Sequence, residues 1–277
     1  MLLAVDVGNT NITLGLYDGA TLRDAWRMQT DPARTPDEYE LLLRGFLASR
    51  GYRLEQVTRS VMASVVPVLS ETLRGLLARA FGRPPLIVGP GLKTGITVRY
   101  SPPRDVGADR IVNAVAAYTR HRTACVVVDF GTATTFDCIS GRGEYVGGAI
   151  APGVGLSMGA LFQRTAKLPK VDVARPERVV GRSTVESIQS GAFYGYVGLV
   201  DGLVRRILDE MAEDEVRVIA TGGLAPTIAE DSSTIQEVDE HLTLEGLRIL
   251  AEANPGRPDG GTSGSADDPL STRSDGD

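Results

Sequence analysis

Residues 2 to 18 contain two short apolar runs around a polar turn, a pattern that predicts a β-hairpin. The turn begins with Asp6 and Gly8 and continues with four more hydrogen-bonding side chains: Asn9, Thr10, Asn11 and Thr13. A hairpin needs only two or three turn-forming residues, so this turn is richer than folding requires. Glycine lets the backbone approach a ligand closely, and free N–H groups at such a turn form a concave site for an anion. An ordinary Asn-rich hairpin turn is the alternative.

The same pattern returns 123 residues later along the chain. Residues 125 to 139 again place an acid and a glycine between apolar runs; Asp129 aligns with Asp6, Gly131 with Gly8 and Thr132 with Asn9. A duplicated strand–turn–strand unit implies two similar halves, because the spacing is too long for a solenoid repeat. Two facing turns can hold a polyphosphate from both sides, with Asp6 near a cation. The pattern therefore indicates a nucleoside triphosphate with Mg²⁺.

Composition and charge exclude several classes of protein. The chain has 277 residues, 42% of them hydrophobic, which suits two ordinary domains or one large one. A net charge of −6 argues against a nucleic-acid partner. No run approaches the ~20 apolar residues of a membrane span, and no signal peptide precedes the first strand. We therefore expect no membrane partner and a cytoplasmic location. Two histidines and two cysteines make a Ser-His-Asp hydrolase or a Cys-based zinc site a poor fit.

The order of predicted elements indicates an α/β fold. Three hairpin-like strands are followed by alternating helices and strands, and the second half repeats this order, so each half should be a mixed sheet covered by helices. Residues 1–120 form the predicted first half, 121–253 the second, and 254–277 an acidic tail too poor in apolar residues to fold. Residues 89–106 are expected to be loop-rich, and helices are expected near 35–50, 70–81, 107–120, 154–165, 184–211 and 243–253.

The helix predicted from Thr184 to Met211 is apolar nearly all round and carries glycines at 191, 195, 198 and 202. Each glycine costs up to ~1 kcal/mol in an exposed helix, whereas a small-residue face permits close approach by another helix. A helix buried on every side lies in a core or in a subunit interface. The sequence alone leaves both open.

A second candidate for chemistry lies at the start of the helix that begins near residue 107. Asp109 could accept the proton of a substrate hydroxyl, and Arg110 could pair with an anionic group. An acid at a helix start is also an ordinary cap. Tyr100, just upstream, could line the same pocket or belong to the core. The turn beginning at Thr221 could let a purine lie against its two glycines, or could be a simple strand–helix turn. The Gly-x-x-x-x-Gly-Lys-Ser/Thr motif of P-loop proteins is absent.

Five motifs, in this order, closely resemble those of type III pantothenate kinase: Asp6-Val-Gly-Asn-Thr-Asn, Gly107-Ala-Asp-Arg-Ile-Val-Asn-Ala, Asp129-Phe-Gly-Thr-Ala-Thr-Thr, Gly147-Gly-Ala-Ile-Ala-Pro-Gly and Ala220-Thr-Gly-Gly-Leu-Ala. The similarity runs from Met1 to about Asn254. The resemblance implies two duplicated ribonuclease H-like (actin-like ATPase) domains, each a mixed five-stranded sheet flanked by helices. It also implies phosphorylation of pantothenate by ATP to 4'-phosphopantothenate, the first step of coenzyme A biosynthesis.

The resemblance also implies roles for particular residues. The first phosphate loop would be residues 6 to 13, with Asp6 near Mg²⁺, and the full set is Asp6, Val7, Gly8, Asn9, Thr10, Asn11, Ile12 and Thr13. Thr132 would belong to the second phosphate loop, and Asp129 would bind an activating K⁺ or NH₄⁺. Asp109 would be the proton acceptor. The pantothenate site would contain Tyr100, Gly107, Ala108, Asp109 and Arg110, together with Thr184 across the interface of a homodimer.

Two alternatives keep the same fold. One is a kinase for another acceptor, such as a sugar or another small hydroxy acid. The other is a kinase-like regulator without turnover. Loss of Asp6, Asp109 or Asp129 would favour the regulator, and all three are present.

Overall fold

The computed structural model describes residues 1–165 and 168–256. Of the predicted acidic tail, residues 257–277 lie outside the described residues. The described part contains an α/β arrangement of eleven strands and seven α-helices in the order β1 (Leu2–Val7), β2 (Asn11–Asp18), β3 (Thr21–Gln29), α1 (Pro36–Ser49), β4 (Arg59–Ser64), α2 (Pro67–Phe81), β5 (Leu86–Ile87), β6 (Thr97–Val98), α3 (Ala108–His121), β7 (Ala124–Phe130), β8 (Ala133–Ile139), β9 (Glu144–Pro152), α4 (Val154–Gln163), α5 (Thr184–Met211), β10 (Val216–Gly222), α6 (Ala225–Ala229), β11 (Glu237–Val238) and α7 (Leu242–Ala253).

The first sheet has the strand order β3-β2-β1-β4-β5. Its central strand β1 pairs antiparallel with β2, as a hairpin partner, and parallel with β4, which returns after helix α1. Both faces of β1 are covered: Leu3 and Val5 point into one apolar cluster with α1 and α2, while Ala4 points into another with α3 and α7. This coverage accounts for the nearly continuous apolar run of β1.

The second sheet repeats the first and adds one strand. Its order is β11-β10-β7-β8-β9-β6, so β7 takes the place of β1, antiparallel to β8 and parallel to β10. The prediction of five strands is wrong for this sheet, which has six. The extra strand, β6, contributes only Thr97 and Val98, paired parallel with β9 at the edge. A strand of two residues inside a Gly- and Pro-rich segment has too few alternating positions to be recognised from the sequence.

Helix boundaries differ from the prediction at two places. Helix α2 begins at Pro67, three residues before the predicted start, because proline fits the first turn of a helix, where no N–H donor is needed. Helix α4 ends at Gln163, two residues before the predicted end at residue 165. Helix α5 has the predicted bounds.

Helices α3 and α7 connect the two sheets. Helix α3 presents Val112 and Val115 to the first sheet and Ala114 and Ala117 to the second. Helix α7, from the far end of the chain, packs against α3 and over the first sheet, where it buries Leu244, Leu247 and Leu250. Strand β6 therefore belongs to the sheet of the second half, and α7 packs on the sheet of the first half. The predicted division of the chain at residue 120 stays a prediction.

Asn254 and the apolarity of the helices remain to be compared with the predictions. Asn254, predicted to open the tail, is buried and donates to the carbonyl groups of Lys93 and Leu250 at 2.9 Å each. Across the described ranges 1–165 and 168–256, no helix combines the length and apolarity needed to cross a membrane.

Candidate active site

The two acid–glycine turns face each other across one cleft. The hydroxyl groups of Thr10 and Thr132, one from each turn, lie 2.7 Å apart, which is hydrogen-bonding distance. In each turn a glycine N–H closes the bend. Gly8 donates to the Asn11 carbonyl and Gly131 donates to the Ala133 carbonyl, both at 3.0 Å. The cleft has a volume of about 570 Å³. Its predicted lining residues are Asp6, Gly8, Asn9, Thr10, Asn11, Thr13, Asp109, Asp129 and Thr132.

Strand register places the two acids at equivalent positions. Asp6 on β1 pairs with Thr13 on β2 and with a residue of β4 on its other side. Asp129 on β7 pairs with Thr135 on β8 and with Thr221 on β10. Paired residues of neighbouring strands point to the same face of the sheet, so each acid has a threonine beside it in the cleft. All four of these side chains, Asp6, Thr13, Asp129 and Thr135, line the cleft.

Three carboxyl groups share this cleft and perturb one another. Burial, together with the charges of Asp109 and Asp129, raises the pKa of Asp6 to about 8. Burial, with the charge of Asp109, raises the pKa of Asp129 to about 7. The pKa of Asp109 is also raised, mainly by burial, although its carboxylate accepts a 2.8 Å hydrogen bond from the Arg110 N–H. Bringing three acids together costs free energy that a bound cation would offset.

Asp129 is oriented by a hydrogen-bonded chain from two helices. The side-chain amide of Asn113 on α3 donates to the Asp129 carboxylate at 3.0 Å. Its oxygen accepts from the Thr243 hydroxyl on α7 at 2.7 Å, which fixes the direction of the amide. On the other side, Gly222 has φ +91°, and a Cβ atom there would lie 2.8 Å from an Asp129 carboxylate oxygen. Close packing thus holds this carboxylate in one position.

Arg110 is held by a buried ion pair beside the cleft. Its Nε donates at 2.6 Å to Asp137, which is fully buried. The same carboxylate accepts from the Tyr145 hydroxyl at 2.7 Å and from the Thr135 hydroxyl at 3.1 Å. The Nη2 atom of Arg110 is buried and has no hydrogen-bond partner in the described part of the chain. A buried charged donor without an acceptor is costly, so this nitrogen is a candidate donor for an acceptor on a ligand.

Other predicted site residues lie next to the cleft or away from it. Tyr100 packs edge-on against the Tyr145 ring, whose centroid is 6.3 Å away. Gly107 caps α3 and Ala108 begins it, one turn from Arg110. Val7 and Ile12 are fully buried behind the first turn, so their side chains do not face the cleft.

Thr184 does not line the cleft. It begins helix α5 and lines a separate surface cavity of about 920 Å³ with residues of α4 and α5. This chain alone therefore does not bring Thr184 to the cleft.

Several residues that sequence reasoning did not assign also belong to the site. The cleft lining includes Arg27, Glu240 and Thr243, while Asn113 and Asp137 hold its side chains in place. Asn113 and Asp137 lie inside or next to the quoted motifs, where a polar residue in an otherwise apolar element was an available signal. Arg27 and Glu240 lie in segments whose sequence predicts ordinary exposed side chains. Within residues 1–165 and 168–256 there is no group of three or more His, Cys, Asp or Glu side chains arranged to hold a metal ion.

Solved structures with similar folds agree with the duplicated architecture. The chain is similar to a ROK family glucokinase from Streptomyces griseus in complex with glucose and AMPPNP, with a TM-score of 0.53, 12% identity and coverage of 91% of this chain and 99% of that one. It is also similar to the ethanolamine utilization protein EutJ from Carboxydothermus hydrogenoformans, with a TM-score of 0.53, 14% identity and coverage of 90% and 89%. These identities show the fold alone, and they confirm the prediction of two ribonuclease H-like domains.

Sequence relatives identify the family. A family model for type III pantothenate kinase matches residues 2–206. The type III pantothenate kinase of Anaeromyxobacter sp. (strain K) is 61% identical over 254 residues, which are 92% of this chain and 100% of that protein. The type III pantothenate kinase of Geobacter sulfurreducens is 56% identical over 254 residues, covering 92% of this chain and 99% of that protein. On this evidence the chain belongs to the type III pantothenate kinase family, as its motifs predict.

Proposed function

We propose that this protein transfers the γ-phosphoryl group of ATP to the primary hydroxyl of pantothenate, giving 4'-phosphopantothenate for coenzyme A biosynthesis. The observation that carries the proposal is the meeting of Asp109 with both acid–glycine turns in one cleft. Phosphoryl transfer depends mainly on positioning and charge stabilisation, with a carboxylate to accept the proton of the nucleophile. A carboxyl group with a raised pKa suits that task better than an ordinary aspartate.

The nucleotide side of the cleft would hold the triphosphate between the two turns. Residues 6 to 13 and Thr132 supply backbone N–H groups and hydroxyls for phosphate oxygens. Asp6 would lie near Mg²⁺, which is commonly held by one or two carboxylates together with substrate phosphates. Asp129 would bind K⁺ or NH₄⁺. The fit rests on the chemistry of the donors: both are carboxylates with raised pKa values that a nearby cation would lower.

The acceptor side would hold pantothenate next to Asp109. The unpartnered Nη2 of Arg110 is suited to the carboxylate of pantothenate, because a guanidinium and a carboxylate form short charge-assisted hydrogen bonds. Tyr100 would line the same side together with Gly107 and Ala108. The proposed order is therefore triphosphate, Asp109 and acceptor hydroxyl, then the acceptor carboxylate at Arg110.

A second copy of the chain would complete the acceptor site. Exposed apolar side chains occur on β9, on α4 and around the start of α5: Val146, Ile150, Leu156, Leu161, Phe162, Val179, Val180 and Val185. Helix α5 also leaves open space beside three of its glycines, 191, 195 and 198. Exposed apolar surface of this kind is typical of a subunit interface. A homodimer through this surface is proposed, with Thr184 of one subunit contacting pantothenate in the other, and the cytoplasmic location stays a prediction.

The test of the activity is a coupled assay that measures ADP formation from ATP with pantothenate, with and without K⁺. We expect turnover with pantothenate, and activation when K⁺ or NH₄⁺ replaces tetramethylammonium. A panel of other acceptors, including glucose and small hydroxy acids, runs in parallel. Faster turnover with another acceptor would reassign the substrate, and no turnover with any acceptor would favour the regulator.

The test of the dimer is the mass in solution of Val180→Asp, measured by light scattering. Val180 is 79% exposed in this chain, and a charge there should oppose its burial between subunits. Val68→Asp is the matched control, because Val68 is 71% exposed on α2. We expect the wild type and the control to be dimers, and Val180→Asp to be monomeric with lower activity. A wild-type monomer with full activity would contradict the proposal.

A further inference from the structure

The side chains that line the nucleotide cleft have an unbalanced charge. Four of them are acidic: Asp6, Asp109, Asp129 and Glu240. Among the described lining residues, one is a permanent cation, Arg27. A triphosphate adds more negative charge to this cleft, and Mg²⁺ neutralises only part of it. A guanidinium at this place is therefore of particular value to an anionic ligand.

Register puts Arg27 in the same row of the first sheet as the acid of the first turn. Asp6 on β1 pairs with Thr13 on β2, and Thr13 pairs with Arg27 on β3. Paired residues point to one face of a sheet, and neighbouring strands are about 4.8 Å apart. The Arg27 Cα is thus about 10 Å from the Asp6 Cα, within reach of an extended arginine side chain directed along the row. The row Asp6–Thr13–Arg27 faces the cleft along its whole length.

The guanidinium group of Arg27 also reaches the second half of the molecule. A Cβ atom built on Gly223 would lie 3.7 Å from Arg27 Nη1. Gly223 belongs to the turn after β10, next to the strand that carries Thr221 beside Asp129. Arg27 therefore extends from the first sheet over the cleft to the Gly222–Gly223 turn opposite.

Arg27 has no protein partner, unlike its neighbour on the same strand. Arg23, also on β3, lies away from the cleft and forms an ion pair with Asp18, with a distance of 2.8 Å between the two side chains. Arg27 is exposed and makes no hydrogen bond or ion pair with the described residues. Its guanidinium donors are free for a ligand.

The second half of the molecule carries a different residue at the equivalent position. There the row runs from Asp129 to Thr135 on β8 and then to Ile150 on β9. The duplication thus preserves the acid and the threonine but replaces the cation by an exposed apolar side chain. The two sheets therefore make unequal contributions to the cleft, and the first sheet supplies the positive charge.

We propose that Arg27 binds the triphosphate of the nucleotide and is a further substrate-binding residue of this kinase. The inference rests on the proposed function for the identity of the nucleotide as ATP. The phosphates are the favoured partner, rather than the base, because the row that carries Arg27 also carries Asp6 and Thr13 of the phosphate turn.

The test compares Arg27→Ala and Arg27→Lys with Arg23→Ala, which removes the same charge from the same strand outside the cleft. We expect Arg27→Ala to raise the KM for ATP about 10- to 100-fold, the range for losing hydrogen bonds to a charged group. The KM for pantothenate should change less than about threefold. Arg27→Lys should recover only part of the loss, because lysine keeps the charge and lacks the planar fork. Arg23→Ala should match the wild type.

Inhibition by Mg²⁺-tripolyphosphate and by adenosine identifies which part of the nucleotide Arg27 contacts. If Arg27 binds phosphate, Arg27→Ala weakens inhibition by tripolyphosphate and leaves inhibition by adenosine unchanged. The opposite result would assign Arg27 to the base or ribose and overturn the proposal, as would an unchanged KM for ATP. If the wild type phosphorylates an acceptor other than pantothenate, the proposed function fails, while the KM for ATP still decides the role of Arg27.

Discussion

Replacing Asp6 with asparagine should make the ligand-free protein more stable at neutral and mildly alkaline pH. The folded protein raises the pKa of Asp6 from 3.8 to about 8, mainly through burial and also through the charges of Asp109 and Asp129. The folded state therefore holds a proton between about pH 4 and pH 8 that the unfolded chain has already released. Stability contributed by such a group is present below the unfolded pKa and is lost as the pH rises to the folded pKa. Asparagine resembles the protonated acid and avoids that loss.

The size of the effect follows from the same shift. About four pH units at 1.36 kcal/mol each give an upper limit of about 6 kcal/mol. The three acids titrate together, and an amide replaces a carboxyl group imperfectly, so we expect about 2–4 kcal/mol at pH 8. For a chain of this length that corresponds to a rise in Tm of roughly 5–10 °C. Below pH 4 the wild type and the variant should have equal stability.

The assay is denaturant unfolding of ligand-free protein from pH 4 to pH 8, with EDTA and with tetramethylammonium in place of K⁺. Asp214→Asn, which changes an exposed acid, is the control. An Asp6→Asn variant that is less stable than the wild type at pH 8 would refute the reasoning. A difference that stays constant from pH 4 to pH 8 would do the same, because the effect must follow the charge of Asp6.

Three further predictions concern the turns and the acceptor side. Asp109→Asn should keep the fold, shown by an unchanged circular dichroism spectrum, and lower kcat about 10²–10⁴-fold as expected for loss of a general base; near-normal turnover would remove Asp109 from that role. Gly153→Ala should cost about 1–3 kcal/mol in urea unfolding, because its Cβ would lie 2.2 Å from a carbonyl oxygen of the second turn, whereas Gly45→Ala on α1 meets open space and should be neutral or stabilising. Tyr145→Phe removes a donor to the carboxylate that orients Arg110, so it should raise the KM for pantothenate severalfold and leave the KM for ATP unchanged; equal changes in both would indicate a general structural effect.

The polar turns were predictable because each is bounded by apolar strands and carries residues that a plain hairpin does not need. Asp6 and Asp129 could be aligned from the sequence, and register confirms that they occupy equivalent places on their central strands. Asp109 could be named from its motif. The meeting of its helix with the two turns depends on long-range packing of α3 between the sheets, which no local pattern encodes.

The residues that sequence reasoning missed act at a distance along the chain. Arg27 is one of two arginines on an alternating strand, and only pairing across β2 places it in the same row as Asp6. Asn113 can be recognised as a positioning residue only in the folded structure, because its partners Asp129 and Thr243 are 16 and 130 residues away along the chain. Strand β6 was missed for another reason: its two residues pair at a sheet edge that exists only after β9 has formed.

The position of α7 has a consequence for how the protein is made. During synthesis the ribosome releases the strands of the first sheet early, yet one face of that sheet is covered by residues 242 to 253, at the end of the fold. Until those residues emerge, Ala4 and Val61 have only the α3 part of their apolar cover, and the nascent chain exposes a surface that favours aggregation. The cover of this face is therefore complete only after residues 242 to 253 have emerged, and a chain truncated before residue 242 should depend on chaperones or be degraded.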